Sequence, residues 1–398
     1  MAGMTLPDAA WRRRPGLDRL TAALDAAHGH ARWVGGAVRD SLLGLPVADL
    51  DLATSFAPED VVRRLAAAGI RSVPTGIAHG TVTAIADGTV VEVTTLRRDV
   101  STDGRHAVVA FSDDWREDAA RRDFTMNALY ADPLTGEIFD WFGGLQDLAA
   151  RRVRFIGDPY RRIAEDHLRI LRFFRFHARF GDAIDDAGLA ACTARANDLM
   201  ALSRERIAAE LLKLLVAPGA VAVVTLMEAR GIFRPVVPEI DADGVARFKD
   251  LAVSEAAAHV AADSIRRLAA LVAPEAAEAV GARLKLSNAD RKRLIQATGG
   301  IGDEGPLALG YRAGIEGAVD RLLLAGGDPR PLLGWERPTL PIGGGALVAR
   351  GLGKGPDVAR TLRAIEDRWI AEGFPAAGRV AAIADDEVAQ ALLARRNS

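Results

Sequence analysis

The chain has 398 residues and a nearly balanced charge, with 51 Lys and Arg against 53 Asp and Glu, so no global basicity points to nucleic acid. An apolar fraction of 49% supplies cores for two or three domains, and the single cysteine, Cys192, excludes an intrachain disulfide and a cysteine-based zinc site. No apolar run approaches the ~18 residues of a membrane span, and we expect a cytoplasmic protein.

The first informative segment, VGGAVRDSLLGLPVADLDLAT, combines a Gly35-Gly36 turn with the aspartates Asp49 and Asp51. Side chains alternate along a strand, so both aspartates project from one face and the leucines that follow them project from the other. Neighbouring carboxylates repel each other unless a cation such as Mg²⁺ lies between them. A Gly-Gly turn also lets backbone N–H groups approach a phosphate. The combination indicates metal-assisted phosphoryl or nucleotidyl transfer.

A β-hairpin is predicted next. Two β-branched runs, residues 81–86 and 89–94, flank Asp87-Gly88, which is typical of a two-residue hairpin turn. Glu92 lies in the middle of the second run. It is either a residue of an exposed sheet face or a third carboxylate beside the two aspartates.

The segment that follows the hairpin, residues 97–113, is rich in charge, Ser and Gly, and its composition predicts a mobile surface loop. From about Asp158 onward the apolar spacing of three and four residues is almost wholly helical. The predicted helical segments are 161–180, 204–216, 262–272, 276–297 and 357–372.

An arginine-rich stretch, DPYRRIAEDHLRILRFFRFHARF, starts this helical part. Projected as one helix, its polar arc holds Arg162, Glu165, Asp166, Arg169 and Arg172. The apolar arc, predicted to enter the core, holds Ile163, Ile170, Leu171 and Phe174. Ion pairs along an ordinary amphipathic helix are one interpretation. The excess of arginine over acidic residues favours an anionic partner such as a triphosphate or an RNA backbone.

Asp166 and Arg169 also suggest a way to select bases. A carboxylate only accepts hydrogen bonds and a guanidinium only donates them. Cytosine and adenine both present an amine beside an unprotonated ring nitrogen, which matches this pair. Uracil and guanine present the opposite order and would leave both protein groups unpaired, which can produce ~10⁴-fold rejection in favourable sites.

Six motifs in order resemble those of the class II tRNA nucleotidyltransferases, the CCA-adding enzymes, whose close relatives are bacterial poly(A) polymerases. The motifs cover about residues 30–215. They are GGAVRD with DLD, PTGIAHGTVT with VEVTTLRRD, RRDFTMNAL, DWFGGLQDL, EDHLR and SRERIAAELLKLL.

The resemblance implies an α+β fold, with a DNA-polymerase-beta-like nucleotidyltransferase head of mixed sheet and helices, followed by an all-helical neck, body and tail. We predict the head at residues 1–155, a neck with a base-reading helix at 156–225, and a tRNA-binding body and tail at 226–398.

The resemblance also implies roles for individual residues. Asp49 and Asp51 would hold Mg²⁺, and Glu92 would be the third catalytic carboxylate. The nucleotide-binding residues that it implies are Gly35, Gly36, Arg39, Arg122, Asp123, Asn127, Asp166, Arg169, Arg172 and Arg175. Of these, Gly36 and Arg39 would contact phosphates, and Arg122 with its neighbours would serve the sugar and triphosphate.

The implied reaction is the addition of C, C and A to the 3′ end of tRNA from CTP and ATP, without a nucleic-acid template. The RNA 3′-hydroxyl would attack the nucleotide α-phosphate in line and release pyrophosphate, assisted by Mg²⁺. A CC-only enzyme is less favoured, because Arg97-Arg98-Asp99 supplies the basic-x-acidic element that full CCA addition requires in this family.

Three other functions share some of these features. A poly(A) polymerase shares the head motifs, but GIAHGTVT fits the tRNA enzymes better. A decayed, non-catalytic RNA-binding protein is disfavoured by the intact carboxylates and Arg122. An attached metal phosphohydrolase would need a His-Asp dipeptide, and none of the 7 histidines is followed by Asp.

Overall fold

A computed structural model describes residues 4–77, 80–102 and 107–396 of the chain. It divides the chain into two compact units, Met1–Ile240 and Asp241–Ser398. The finer division into head, neck and body stays a prediction. Residues 78–79 of the predicted GIAHGTVT motif and residues 103–106 lie outside the described residues.

A mixed sheet of seven strands organises the first unit. The strands of the chain are β1 (Ala31–Val34), β2 (Asp51–Thr54), β3 (Arg71–Gly76), β4 (Thr81–Ala86), β5 (Thr89–Thr95), β6 (Arg97–Thr102), β7 (Ala107–Phe111), β8 (Tyr130–Ala131) and β9 (Ile138–Phe139). Their order in the sheet is β3-β4-β5-β2-β1-β8-β9. β2 and β5 are parallel and the other neighbours are antiparallel, so the sheet is mixed.

The first unit has helices before, between and after the strands of this sheet, and no described strand follows β9. They are α1 (Leu17–Ala23), α2 (Gly36–Leu42), α3 (Pro58–Ala67), α4 (Trp115–Ala120), α5 (Gly144–Ala149), α6 (Pro159–Glu165), α7 (Arg169–Phe180), α8 (Asp186–Ala194), α9 (Arg204–Leu215) and α10 (Ala220–Ala229). The sheet head and helical remainder confirm the predicted α+β class.

Among its described residues, the second unit contains helices and connecting loops but no strand. Its helices are α11 (Ala242–Ala257), α12 (Ser264–Leu271), α13 (Ala277–Arg283), α14 (Asn288–Ala297), α15 (Pro306–Ala313), α16 (Ile315–Leu324), α17 (Gly344–Ala349), α18 (Pro356–Ala371) and α19 (Ala377–Arg396). One of its cores is built around the buried side chains of Tyr311, Ile365 and Trp369.

The predicted hairpin is confirmed. Asp87 and Gly88 join β4 to β5 with φ angles of 47° and 84°, the left-handed conformation that a tight hairpin turn needs at both positions. The turn fixes the register of the two strands, which pairs Thr83 with Glu92. Glu92 therefore has a fixed place on β5.

The arginine-rich stretch is not one helix, which corrects the prediction. α6 ends at Glu165, Asp166 is extended with φ −151° and ψ 108°, and α7 begins at Arg169. Within the break, the Asp166 carboxylate accepts a hydrogen bond from the Leu168 backbone N–H at 3.1 Å, a local turn that competes with a continuous helix. The predicted core face survives the break: Ile163, Ile170, Leu171 and Phe174 are all buried.

Two further predictions of secondary structure, for residues 276–297 and 97–113, are also wrong in part. The segment 276–297 contains two helices, because Lys285 has a left-handed φ of 51° and Ser287 caps α14 by accepting from the Asp290 N–H. The segment 97–113 is not a loop throughout: β6 and β7 form an antiparallel pair that includes Arg97 opposite Phe111. None of the helices within residues 4–77, 80–102 and 107–396 combines the length and the apolar composition of a membrane span.

Candidate active site

Two cavities of the first unit contain most of the predicted site residues. The first, which we name the arginine cavity, has a volume of about 490 Å³. Its lining is Gly35, Gly36, Arg39, Asp51, Arg97, Arg121, Arg122, Asp123, Asn127, Asp166, Arg169, Arg172 and Phe176. Arginine is the commonest side chain in this wall, which suits an anionic ligand of several charges.

The second, the carboxylate cavity, has a volume of about 600 Å³. Its lining is Arg14, Ala48, Asp49, Leu50, Asp51, Gly88, Thr89, Val90 and Glu92. The structure thus brings Asp49, Asp51 and Glu92 to one cavity. Asp51 lines both cavities, so the carboxylates and the arginines meet at this residue.

The sheet places these carboxylates together. Asp51, the first residue of β2, is the register partner of Glu92 on the parallel strand β5, and the Glu92 N–H donates to the Leu50 carbonyl at 2.9 Å. Paired residues of neighbouring strands present their side chains on the same face. Leu50 and Leu52 are 2% and 0% exposed, as the alternation predicts.

The surroundings of Asp51 disfavour the ionised form of its carboxylate. Burial is the largest influence and raises the pKa of Asp51, and the charges of Glu92 and Asp49 raise it further, while Arg122 opposes them. A cation at this carboxylate would remove the repulsion and lower that pKa.

The Gly-Gly turn is shaped for close approach. Gly35 has a φ of +66°, and a Cβ there would lie 3.5 Å from Arg122 Nη1 and 3.9 Å from Asp51 Oδ2. α2 begins at the next glycine, Gly36. These distances are ordinary van der Waals contacts, so the position favours glycine for its left-handed backbone conformation.

Arg39 is a buried anchor of the arginine cavity. Its Nε donates to Asp40 at 2.8 Å and its Nη1 donates to the Asn127 side-chain oxygen at 2.5 Å. The guanidinium also lies 4.3 Å from the centre of the Phe180 ring on α7. Burial lowers the pKa of Arg39, against the opposing charge of Asp40. These contacts fix its orientation before any ligand binds.

Arg122 is oriented by two residues that the sequence analysis did not single out. Its Nε donates to the Tyr130 hydroxyl at 3.0 Å, its Nη2 lies 3.3 Å from Asp118, and that hydroxyl donates in turn to Asp118. Burial is the largest influence on Asp118 and raises its pKa, but the charges of Arg122 and Arg121 outweigh it and bring the value to about 2. The i,i+4 spacing of Asp118 and Arg122 is the sequence signal that could have found this pair.

Asp123 and Asn127 connect the head to α7. Asp123 accepts from Arg172 Nε at 2.8 Å and from the Asn127 amide at 2.9 Å. Burial raises the pKa of Asp123, but Arg172 and these hydrogen bonds outweigh it and bring the value to about 2. Asp123 is therefore charged, and it holds Arg172 against the cavity wall.

The predicted base-reading pair, Asp166 and Arg169, already makes hydrogen bonds with other groups of the protein. Asp166 accepts from Arg206 Nη2 on α9 at 3.0 Å. Arg169 Nη1 donates to Glu165 at 2.7 Å, and its Nη2 donates to the Arg121 carbonyl at 3.1 Å. Asp166 and Arg169 both line the arginine cavity, so they are held there by protein partners.

Arg175 does not join the others. Its Nε donates to Glu210 on α9 at 2.5 Å, and it is not part of the lining of either cavity. In contrast, Arg97, Arg121 and Phe176 line the arginine cavity although the sequence analysis assigned them no role there.

The comparisons with known proteins agree with this geometry. A family model described as "Poly A polymerase head domain" matches residues 31–154, and one described as "Probable RNA and SrmB- binding site of polymerase A" matches residues 183–243. The mouse (Mus musculus) protein "CCA tRNA nucleotidyltransferase 1, mitochondrial" is 33% identical over 382 residues, which cover 90% of this chain and 87% of the mouse protein.

The chain belongs to the CCA tRNA nucleotidyltransferase family. It is thus a nucleotidyltransferase, as the motifs predicted. The CCA-adding enzyme of Anoxybacillus flavithermus is 41% identical over 209 residues, 52% of this chain and 51% of that enzyme. A crystal structure of the Bacillus stearothermophilus CCA-adding enzyme in complex with CTP superposes with a TM-score of 0.71 at 28% identity, covering 90% of this chain and 94% of that one.

CCA tRNA nucleotidyltransferase chemistry raises the question of whether the carboxylates fit Mg²⁺. Within the described part of the chain, no group of three or more His, Cys, Asp or Glu side chains is assembled as a metal site. Mg²⁺, however, is commonly bound by one or two carboxylates, completed by water and substrate phosphates. The oxygen donors of Asp49 and Asp51, with Glu92 in the same cavity and a raised pKa at Asp51, fit that mode of binding.

Proposed function

We propose that the protein adds C, C and A to the 3′ end of tRNA, using CTP and ATP and no nucleic-acid template. The observation that carries the proposal is the position of Asp51, which lines both the arginine cavity and the carboxylate cavity. A nucleotide triphosphate in the first cavity would then lie beside the carboxylates of the second. Membership of the CCA-adding family supports the choice of substrates.

The reaction forms a bond between the RNA 3′-oxygen and the nucleotide α-phosphorus and breaks the bond from that phosphorus to the bridging oxygen of pyrophosphate. The proton of the attacking hydroxyl is lost to solvent. Arg39, Arg122 and Arg172 are held in place by protein partners, so they can bind the triphosphate without reorganising as charge moves to the leaving group. Positioning and charge stabilisation are therefore the main contributions of the arginine cavity.

Asp49 and Asp51 would hold Mg²⁺, with Glu92 as the third carboxylate. When bound, the metal lowers the pKa of the attacking hydroxyl and stabilises the departing oxygens. The chain itself supplies the oxygen donors and, through β2 and β5, keeps Asp51 and Glu92 in register.

Asp166 and Arg169 would select the base. A carboxylate has about four lone-pair positions, so Asp166 can accept from a base amine while it still accepts from Arg206. Cytosine and adenine satisfy both groups, whereas uracil and guanine leave them unpaired. One pair of side chains can therefore admit two bases and reject two.

The test is product sequencing after the purified protein is incubated with tRNA lacking its terminal CCA, Mg²⁺ and all four nucleoside triphosphates. We expect the addition of C, C and A, in that order, followed by a stop. A run of A would support poly(A) polymerase activity instead, and a stop after two C residues would support a CC-only enzyme. The expected cytoplasmic location stays a prediction, since the relatives include mitochondrial enzymes.

A further inference from the structure

The segment that precedes the family-matched head, residues 14–19, borders the carboxylate cavity. Arg14 lines this cavity, and its guanidinium spans two consecutive carbonyls. Nη2 donates to the Val47 oxygen at 2.9 Å and Nη1 donates to the Ala48 oxygen at 3.3 Å. The residue after these carbonyls is Asp49.

The backbone at Asp49 has little other support from regular structure. Residues 45–50 form neither helix nor strand, and Asp49 is exposed. β2 begins at Asp51, and the Leu50 carbonyl just before it accepts from the Glu92 N–H of β5 at 2.9 Å. The two aspartates of the motif are therefore held differently. Asp51 lies within the sheet, whereas Asp49 lies outside it, with Leu50 tied to β5 on one side and the Val47 and Ala48 carbonyls bound by Arg14 on the other.

The same N-terminal segment is fixed to the strand pair that carries Glu92. The Thr89 hydroxyl donates to the Pro15 carbonyl at 2.8 Å, and Arg19 pairs with Asp87 at 2.6 Å. Gly16 packs so closely that a Cβ there would lie 2.6 Å from the carbonyl carbon of Ala86. Arg14 thus extends from a support that is tied to the β4–β5 hairpin.

Buried side chains keep this support in place. Leu17 and Leu20 of α1 are 2% and 0% exposed, and α1 contacts α3 and β4. A side chain that extends from a rigid element can restrain a neighbouring segment at a lower entropic cost, because packing has already ordered the backbone that carries it.

We propose that Arg14 is a positioning residue for the nucleotidyl transfer: by joining the Val47 and Ala48 carbonyls, it fixes the backbone that presents Asp49 to the carboxylate cavity. The proposal rests on the proposed function. It requires the planar fork of arginine, since two donors separated by a rigid guanidinium can bind two carbonyls together. A lysine ammonium keeps the charge but carries its three donors on one nitrogen at the end of a flexible stem, so it lacks the fixed spacing of two separate nitrogens.

The experiment compares Arg14→Ala and Arg14→Lys with the wild-type chain and with Arg13→Ala as a matched control. Arg13 is the adjacent arginine, and its exposed side chain pairs with Asp8 away from both cavities. Single-turnover addition of the first C to tRNA gives the rate of the chemical step and the apparent affinity for CTP separately. Thermal unfolding of each variant reports whether the fold is intact.

We expect both Arg14 variants to slow the chemical step about tenfold or more, because small displacements of a catalytic group carry large costs. The affinity for CTP should stay within about twofold of the wild-type value, since the arginine cavity is untouched. Arg13→Ala should match the wild type in both parameters. A general loss of stability would lower the melting temperature and would not produce this split.

A second measurement does not use activity. CTP should raise the melting temperature of the wild type in EDTA through the arginine cavity, and Mg²⁺ should add a further increment through the carboxylates. The Arg14 variants should keep the first increment and lose most of the second. Wild-type rates and increments in Arg14→Ala, or full recovery in Arg14→Lys, would overturn the proposal. If the wild type itself adds no nucleotide to tRNA, the proposed function fails instead.

Discussion

The buried ion pairs of the second unit and the arginine cavity of the first unit use the same kinds of side chain in different surroundings. In the second unit, Arg266, Glu255 and Asp320 are 3%, 2% and 0% exposed. Arg266 lies 2.7 Å from Glu255 and 3.2 Å from Asp320. Arg293 of α14 extends this cluster, 2.9 Å from Asp320. We name it the buried network.

The arginine cavity is also rich in ion pairs, yet it leaves about 490 Å³ of space in front of them. Arg172 there is held by Asp123 and Arg122 by Asp118, with their guanidinium groups at the wall of the cavity. In the buried network, charges are enclosed by one another and by α11, α12, α14 and α16. The difference lies in what the charges face: those of the buried network face one another, whereas those of the arginine cavity also face open space that a ligand can fill.

The largest effect that would test this contrast is the loss of Asp51. We expect Asp51→Ala to reduce nucleotide addition by about 10⁴-fold or more, since several kcal/mol of transition-state stabilisation would be lost with the metal ligand. Binding of CTP in the arginine cavity should persist. Single-turnover kinetics and equilibrium CTP binding measure the two properties, and Asp49→Ala should behave similarly.

A matched control for that experiment is Asp60→Ala, because Asp60 forms a surface pair with Arg63 on α3. It should keep wild-type rates. Comparable turnover in Asp51→Ala and wild type would contradict the role of the carboxylate cavity.

The buried network should respond in stability. Asp320→Ala leaves Arg266 and Arg293 without this carboxylate, and we expect the unfolding free energy of the second unit to fall by about 3–5 kcal/mol. Base selection by the folded protein should not change. Urea unfolding measures the first expectation and nucleotide competition the second. Asp328→Ala, at an exposed pair with Arg330, is the control, and an equal loss there would remove the distinction.

Base selection should change when Asp166 or Arg169, the predicted base-reading pair, is replaced. We expect Asp166→Ala or Arg169→Ala to narrow the preference for CTP over UTP by about 100-fold, because the unmatched polar groups that reject uracil are removed. Competition assays with labelled CTP and UTP on truncated tRNA measure this ratio. If the preference stays at its wild-type value in both variants, the base-reading role is wrong.

The smallest expected effect is the pH dependence that Asp118 gives to the free energy of unfolding. The folded-state pKa of Asp118, about 2, lies below the ordinary aspartate value of 3.8, so its ionised form stabilises the fold above pH 4 and this contribution is lost as the pH falls toward 2. Asp118→Asn should therefore lower the unfolding free energy at pH 7 by about 2 kcal/mol. The difference from wild type should begin to shrink below pH 4.

Denaturant unfolding between pH 7 and pH 3 measures the trend. Asp8→Asn, at the exposed pair with Arg13, should show little difference from wild type at any of these pH values. A gap between Asp118→Asn and wild type that stays constant with pH would contradict the linkage.

The sequence predicted those features that depend on neighbouring residues. The Asp87-Gly88 turn dictates the hairpin register, and the alternation around Leu50 dictates which side of β2 is buried. Family motifs indicated the carboxylates and most of the arginines that the structure brings to the two cavities. The roles of these residues remain predictions.

The sequence did not predict features that depend on distant partners. At the break before α7, the Asp166 carboxylate accepts from the nearby Leu168 N–H and also from Arg206, a residue 40 positions away. Apolar periodicity continues through this break, so no local pattern reveals it. The break before α14 did have a local signal, because the Ser287 hydroxyl caps the helix at the Asp290 N–H.

Asp51 forms part of the lining of both cavities, so a ligand in either cavity lies against its side chain. Replacing its carboxylate with the isosteric amide in Asp51→Asn would remove charge while keeping the shape of both surfaces. Such a protein offers a means of trapping the incoming nucleotide and the end of the RNA side by side before they react. A stalled complex of that kind would place both reactants in view in a single crystal.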